Sequence, residues 1–367
     1  MKGKDLKAGI RFFTQALMDW NAKANHRKMP WKGEKDPYKI WLSEIILQQT
    51  RVEQGIGYYQ RFLCSYPTVE DLAAAPDAGV FKLWEGLGYY SRCRNLLHTA
   101  REVVQRFNGL FPADYIGLLN LKGVGPYTAA AIASFAFGLP YAVVDCNVTR
   151  VLARFFHIEK MPGSPEGRML FNDLATNLLD PQRPGAYNQA IMDFGATVCK
   201  PVSPSCHSCP LAPNCQAFRL GKSNVLPVKM GKLKRRKRYF LYFILKHRGK
   251  VWVCGRTEKD IWRHLDEFFL VEVKGPILLS AKHIARYLQE AGWEIKSYEL
   301  FPEVIKQTLT HQEITSVFVS VDLRNGPQLP LKGRWVYPKE INALAFPRTI
   351  TLFLENYKKG VDSIFEL

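Results

Sequence analysis

The residues best equipped for chemistry lie in a few short stretches of the 367-residue chain. Cys199, Cys206, Cys209 and Cys215 follow one another as C-x6-C-x2-C-x5-C. Four thiolates in one loop-rich segment can hold a [4Fe-4S] cluster, and so compact a loop would be pinned by it. Zinc is the chemical competitor, since four thiolates also suit a tetrahedral ion. Zinc sites usually show two C-x2-C knuckles, and here a single pair has that spacing, which favours the cluster. Cys64, Cys93, Cys146 and Cys254 stand apart and read mostly as buried thiols.

Two carboxylates also stand out. Glu44 is a charge among apolar side chains in Trp41-Leu42-Ser43-Glu44-Ile45-Ile46-Leu47, on a predicted helix. Burial there would raise its pKa and keep a proton available near neutral pH. Taken alone, however, the segment fits a glutamate on the solvated face better. Asp145 ends the apolar run Tyr141–Val144 ahead of a helical stretch over Val148–Phe156, where the plain use of an aspartate is as an N-cap. One carboxyl kept protonated and one ionised would equip a site to cleave a glycosidic bond. Sequence spacing does not bring the two together.

The elements that must position these groups are mostly helical up to about Lys222. Asp36-Pro37 predicts a helix start, with Asp as cap and Pro preset for the first turn, and apolar residues at helical spacing continue from Tyr38 to Leu63. Leu121-Lys122-Gly123-Val124-Gly125-Pro126 precedes an Ala-rich helix over Ala129–Phe137. Its two glycines permit a tight turn and close approach to a ligand. The amides exposed at the helix start would hold a phosphate without reading sequence. A plain turn is the rival reading of a lone G-x-G. Lys229–Arg238 (KMGKLKRRKR) is a charge run without apolar periodicity, a solvated linker or phosphate strap. Beyond it, Tyr239–Leu245, Lys250–Cys254, Phe268–Val273 and Ser316–Val321 predict strands and Ala281–Ala291 a helix. The expected organisation is a mainly α domain over 1–222, a basic linker over 223–238 and a smaller α+β domain over 239–367.

Lys and Arg number 51 against 33 Asp and Glu, a formal charge of +18. Such an excess favours polyanionic partners, because each neutralised phosphate releases condensed counterions. Neither a membrane-length apolar run nor a secretory signal is present, so nucleic acid is preferred over a membrane surface and a cytoplasmic location is expected.

The hairpin LKGVGPYTAAAIASFAFG, the later VVDCNVTRVLARF, and NQAIMDFGATVC running into the four cysteines resemble the helix-hairpin-helix DNA glycosylase superfamily. HRKMPWKGEKDPYKIWLSEIILQQTRVEQ narrows the resemblance to its adenine-specific family, over roughly residues 10–220 and more faintly beyond. The resemblance implies a [4Fe-4S] cluster on Cys199, Cys206, Cys209 and Cys215. It implies that duplex DNA carrying adenine opposite 8-oxoguanine or guanine is bound by a monomer in the bacterial cytoplasm, at the nucleoid. The adenine is flipped into a pocket. Glu44 protonates its N7 and Asp145 stabilises the sugar cation, with Tyr127 and Asn147 positioning both. Arg27, Trp31, Gln189 and Met192 match pocket-lining positions, and Gln49 and Thr50 match positions that fill or border the opened stack. Lys122, Gly123, Val124 and Gly125 would hold the phosphate.

Endonuclease III shares the fold, the cluster and the aspartate, and a pyrimidine-lesion glycosylase–lyase of that kind is the alternative. It carries a lysine nucleophile two positions after the hairpin's last glycine. Here that position is Tyr127. Without the amine no Schiff base forms, so base removal without obligatory strand cutting is expected. The second domain resembles the Nudix-like reader of oxidised guanine, but the G-x5-E…R-E-x2-E-E magnesium box is absent, which implies binding without pyrophosphatase chemistry. Leu309-Thr310-His311 matches the family's reading loop in its last two kinds of residue, and an ordinary polar turn is the alternative. The chain departs from the family pattern at Cys146 (glycine is usual), Lys32 (arginine), Met29 (leucine) and Leu309 (phenylalanine).

Overall fold

The structure, a computed structural model, describes residues 3–228, 231, 234–277, 280–326 and 332–356. Lys229, Met230, Lys232 and Leu233 of the basic run, and 357–367 of the expected second domain, lie outside the described residues. In chain order the helices are α1 (Gly3–Ala24), α2 (Pro37–Leu47), α3 (Val52–Ser65), α4 (Val69–Ala74), α5 (Asp77–Trp84), α6 (Ser91–Phe107), α7 (Tyr115–Leu119), α8 (Pro126–Phe135), α9 (Cys146–Phe155), α10 (Pro165–Leu178), α11 (Pro184–Thr197), α12 (Gln216–Arg219), α13 (Ala281–Glu290), α14 (Pro338–Ile341) and α15 (Arg348–Asn356). The strands are β1 (Arg236–His247), β2 (Lys250–Gly255), β3 (Asp266–Glu267), β4 (Phe269–Val273), β5 (Ile295–Leu300), β6 (Ile305–Thr308), β7 (Gln312–Leu323) and β8 (Arg334–Val336). Among the described residues no helix is long and apolar enough to cross a membrane.

Two compact units emerge: Met1–Ala75 with Arg94–Gly231, and Pro76–Cys93 with Lys232–Leu367. The first is helical. Its core joins α1, α8, α9, α10 and α11 through buried Phe13, Leu17, Ala131, Val151, Phe171, Ile191 and Phe194, with Phe13 meeting Phe155 edge-on at 4.9 Å. Asp36 caps α2 as expected, accepting from Tyr38 N at 2.9 Å. The single helical stretch expected over Tyr38–Leu63 is instead broken in two, because Gln49 takes a left-handed φ of 57° between α2 and α3. Helices α7 and α8 flank the glycine hairpin, giving the helix-hairpin-helix arrangement. At the hairpin Gly123 has φ +80°, and a Cβ there would lie 2.7 Å from Asn95 Cβ, so both backbone and space demand glycine.

In the second unit β1 is central. It pairs parallel with β7 over Arg236↔Gln312 to Lys246↔Asp322 and antiparallel with β2 and β4. Its run Tyr239–Leu245 is apolar on both faces because both faces are covered. Leu241, Phe243 and Leu245 pack with Ile284 and Leu288 of α13, whereas Tyr242 stacks on Phe318, which stacks on Phe353 of α15 at 4.0 Å. Strands β3, β5, β6 and β8 lie outside the runs expected from the sequence, since each is short or largely exposed. Helix α5 and the turn after it group with this unit, although they lie between helices of the first. Lys82 Nζ donates to Leu344 O at 2.8 Å, and Glu85 accepts from Phe346 N at 2.8 Å.

Candidate active site

The first unit contains a cleft of about 1040 Å³ whose walls include Arg27, Trp31, Glu44, Gln49, Thr50, Gly123, Gly125, Tyr127, Asp145, Asn147, Gln189 and Met192. Both carboxylates therefore face one cavity. Glu44 does not lie on a solvated face: it is 7% exposed, on a helix in which Tyr38 and every residue from Ile40 to Ile46 are buried. Such a helix has no polar side to offer. Burial pushes the Glu44 carboxyl up to about 7, Tyr127 draws it part of the way back as a hydrogen-bond partner, and the charge of Asp145 adds to the rise.

Asp145 is both an N-cap and a cavity group. One carboxylate oxygen accepts from Val148 N and the other from Asn147 Nδ2, each at 2.7 Å. Burial raises its pKa, while those donors oppose the rise. Two N–H donors on two oxygens favour the ionised form, so the cavity holds one carboxyl poised to carry a proton and another held as an acceptor. The Tyr127 hydroxyl lies 3.4 Å from Met192 Sδ, and burial next to Glu44 and Asp145 keeps it a phenol well above its usual pKa. Asn147 is fixed in turn by Arg150, whose Nη2 donates to Asn147 Oδ1 at 2.7 Å and to Gly195 O at 2.8 Å. Gly195 permits this approach of α11 to α9, since a Cβ on it would stand 2.7 Å from Asn147 Cβ.

The hairpin residues sit at the cleft's edge. Lys122 is exposed, and its carbonyl accepts from Thr99 Oγ1 at 2.6 Å. The Val124 side chain is buried and its amide bonds Leu121 O at 3.1 Å. Gly125 caps α8 without any side chain, which leaves the first amides of that helix uncapped by protein side chains. Of the departures, Met29, Lys32 and Cys146 all line the cleft. Cys146 is exposed, as is Cys64, so of the four scattered cysteines only Cys93 is fully buried.

The four clustered cysteines are outside the cleft wall but tied to it. Arg150 Nε donates to Cys199 O at 2.8 Å, and the buried Arg154 donates to Cys199 Sγ at 3.3 Å, Lys200 O at 2.7 Å and Leu226 O at 3.0 Å. Burial raises the thiols of Cys199, Cys209 and Cys215, and each of the three also senses the charges of others in the set, Cys206 included. No three His, Cys, Asp or Glu side chains among the described residues converge closely enough to grip a single ion. The four thiols are free and near enough for their charges to interact, a donor set that suits a thiolate-bound cluster or ion.

Thr310 and His311 belong to the second unit, exposed on the turn between β6 and β7. The turn closes through Leu309 N to Gln312 O at 2.8 Å, and His311 O accepts from Arg236 N at 2.9 Å. Thr310 Oγ1 is hydrogen-bonded to the Tyr89 hydroxyl.

Four residues that the sequence reading did not single out shape the site. Gln48 lines the cleft and reaches Thr128 Oγ1 at 3.5 Å. Arg150 and Arg154 lock the start of the cysteine loop to α9. Asp193 is a fully buried carboxylate that holds Arg27 and Lys32, each at 2.9 Å. The available signal was the one that marked Glu44, a lone acid in an otherwise apolar helical segment, PGAYNQAIMDFGAT.

Residues 42–174 match the HhH-GPD superfamily of base excision DNA repair proteins, and residues 241–356 match the NUDIX domain. An adenine DNA glycosylase of Buchnera aphidicola subsp. Baizongia pistaciae (strain Bp) is 30% identical over 352 residues, covering 95% of this chain and 97% of that protein. The adenine DNA glycosylase of Homo sapiens is 43% identical over 219 residues, 57% of this chain and 40% of the human one. Among solved structures, a thermostable thymine-DNA glycosylase superposes with TM-score 0.55 at 28% identity, covering 59% of this chain and 99% of that one. A non-covalent endonuclease III–DNA complex shares the fold, with TM-score 0.52 at 23% identity over 59% of this chain and 97% of that one. With the helical unit, the paired carboxylates and near-complete coverage of a relative in hand, the chain belongs to the adenine DNA glycosylases, base-excision hydrolases that cut an N-glycosidic bond in DNA.

Proposed function

We propose that the chain excises adenine lying opposite 8-oxoguanine, or opposite guanine, from duplex DNA and does so without a lyase step. The observation that carries this reading is the buried Glu44, with a carboxyl pushed up to about 7, on the same cleft wall as Asp145. The protonated Glu44 gives its proton to adenine N7. The C1′–N9 bond then breaks, its electron pair leaves with the base, and an oxocarbenium-like sugar remains. The Asp145 carboxylate stabilises that cation. Glu44, now ionised, takes a proton from the water that completes hydrolysis. Tyr127 and Asn147 hold the two carboxyls. Arg27, Trp31, Gln189 and Met192 wall the base, Gln49 and Thr50 border the opened stack, and Lys122 to Gly125 hold a backbone phosphate. Tyr127 offers no amine for a Schiff base, which supports base removal alone.

Residues 1–222 would carry the chemistry, 223–238 the link, and 239–367 the recognition of oxidised guanine through Thr310 and His311. Cys199, Cys206, Cys209 and Cys215 would hold a [4Fe-4S] cluster, which when bound supplies a rigid brace for the loop that follows α11. Iron and sulphide of roughly four each per chain would support that cluster, and stoichiometric zinc would overturn it. A monomer in the bacterial cytoplasm, at the nucleoid, completes the reading.

The test uses duplexes holding A opposite 8-oxoguanine, A opposite G, and thymine glycol opposite A. Products are resolved with and without alkali. Breaks at adenine that need alkali and are strongest opposite 8-oxoguanine are the expected result. Alkali-independent cutting at thymine glycol would replace this reading with that of a pyrimidine-lesion lyase.

A further inference from the structure

Asp193 accepts hydrogen bonds from four side chains of the first unit. It lies on α11, fully buried, one residue after Met192 and four after Gln189. Its Oδ1 accepts from Arg27 Nη1 at 2.9 Å and from Gln189 Nε2 at 3.0 Å. Its Oδ2 accepts from Lys32 Nζ and Asn25 Nδ2, both at 2.9 Å. The loop between α1 and α2 is wound around this carboxylate. Lys32 also donates to Arg27 O at 3.0 Å, and Asn25 Oδ1 accepts from Arg27 N at 3.2 Å. Arg27, Lys32 and Gln189 all line the cleft that Asp193 itself does not reach.

An ionised carboxylate accepts hydrogen bonds and donates none. Gln189 must therefore turn its amide nitrogen to Asp193, and its carbonyl oxygen becomes the end of the amide left to a ligand. Arg27 is held by one nitrogen, and its other N–H groups remain donors. A base with an exocyclic amine meets an acceptor at Gln189, whereas a base with a carbonyl in that place meets oxygen against oxygen. Buried polar groups left unpaired in this way discriminate strongly.

We infer that Asp193 is a positioning residue that sets base specificity, by fixing Gln189 as an acceptor and Arg27 as a donor so that the cleft takes a 6-aminopurine and rejects a 6-oxopurine. This inference rests on the reading of the cleft as an adenine pocket.

The test compares single-turnover excision of adenine and of hypoxanthine, each opposite 8-oxoguanine. Wild type prefers adenine. Asp193→Asn can donate as well as accept, so Gln189 is free to turn over, and the adenine-to-hypoxanthine ratio falls at least about 10-fold. Asp193→Glu restores most of that ratio. Gln189→Met lowers the ratio to a similar extent, and adding Asp193→Asn to it changes the ratio no further. The Gln189 variant keeps the test open should Asp193→Asn fail to fold. A ratio unchanged in Asp193→Asn, even with slower excision of both bases, or unchanged in Gln189→Met, would overturn the inference alone. Wild type that releases no adenine, or Glu44→Gln that releases it at the full rate, would bring down the pocket reading and the inference with it.

Discussion

At the residue scale, burial raises the pKa of both carboxyls, and what differs is how strongly hydrogen-bond donors oppose the rise. Glu44 has lost water and gained little to replace it, whereas Asp145 has lost water and gained two N–H donors. This difference has a consequence for stability. The folded state holds the Glu44 proton more tightly than the unfolded chain does, so its contribution is fully present below the unfolded pKa and is lost as pH rises through about 7. Glu44→Gln removes that loss. Relative to the parent it gains about 2–3 kcal/mol between roughly pH 5 and pH 8, readable as urea midpoints, while its excision rate falls by about 10³ or more. A variant no more stable at the higher pH would mean that Glu44 is not protonated in the fold. Asp145→Asn keeps an equivalent cap for α9, so stability should stay within about 1 kcal/mol while the rate again drops by orders of magnitude. Parallel loss of both would make Asp145 a structural residue.

At the scale of elements, α9 and α11 form the frame. Helix α9 supplies Asp145 as its cap and Asn147 in its first turn, and Arg150 and Arg154 stitch it to the end of α11 and to the cysteine loop. Helix α11 supplies Gln189, Met192 and Asp193. Their close approach depends on Gly195, where a Cβ would strike Asn147 Cβ at 2.7 Å and Asn147 O at 3.0 Å. Gly195→Ala should therefore cost about 1–3 kcal/mol from overpacking and slow excision about 10-fold or more, because the displaced group is the one that orients Asp145. Chemical denaturation and single-turnover kinetics read the two effects separately. A stability loss with an unchanged rate would show that Asn147 moves without carrying Asp145.

At the scale of the molecule, a helical unit holds the cleft and a mixed α+β unit holds the exposed turn that carries Thr310 and His311. That division predicts separable losses. Thr310→Ala combined with His311→Ala should leave excision of adenine opposite guanine within about 3-fold of the parent and remove most of the preference for 8-oxoguanine, each lost hydrogen bond being worth roughly 1 kcal/mol. Equal preference in parent and variant would reduce the turn to a connector. The formal +18 charge places DNA affinity under strong salt control, so both proteins belong at one ionic strength.

Local chemistry is what the amino-acid order carried. The cysteine spacing, the glycine hairpin, the Asp36-Pro37 start and the apolar run of β1 each depend on neighbours a few residues away, and each was legible in the chain. The family resemblance, borne by the glycine hairpin, VVDCNVTRVLARF, NQAIMDFGATVC with the cysteines, and HRKMPWKGEKDPYKIWLSEIILQQTRVEQ, supplied the pairing of Glu44 with Asp145. The solvated face suggested for Glu44 by its own segment failed, because a window of seven residues contains no information about what covers the far side of α2. Burial is set in part by α8, which packs against α2 from far down the chain. Asp193 was passed over for the same reason: its partners Arg27 and Lys32 lie at |i−j| of 166 and 161. A carboxylate becomes a hub, a cap or a proton donor according to the donors and the solvent around it, and only the tertiary fold decides those.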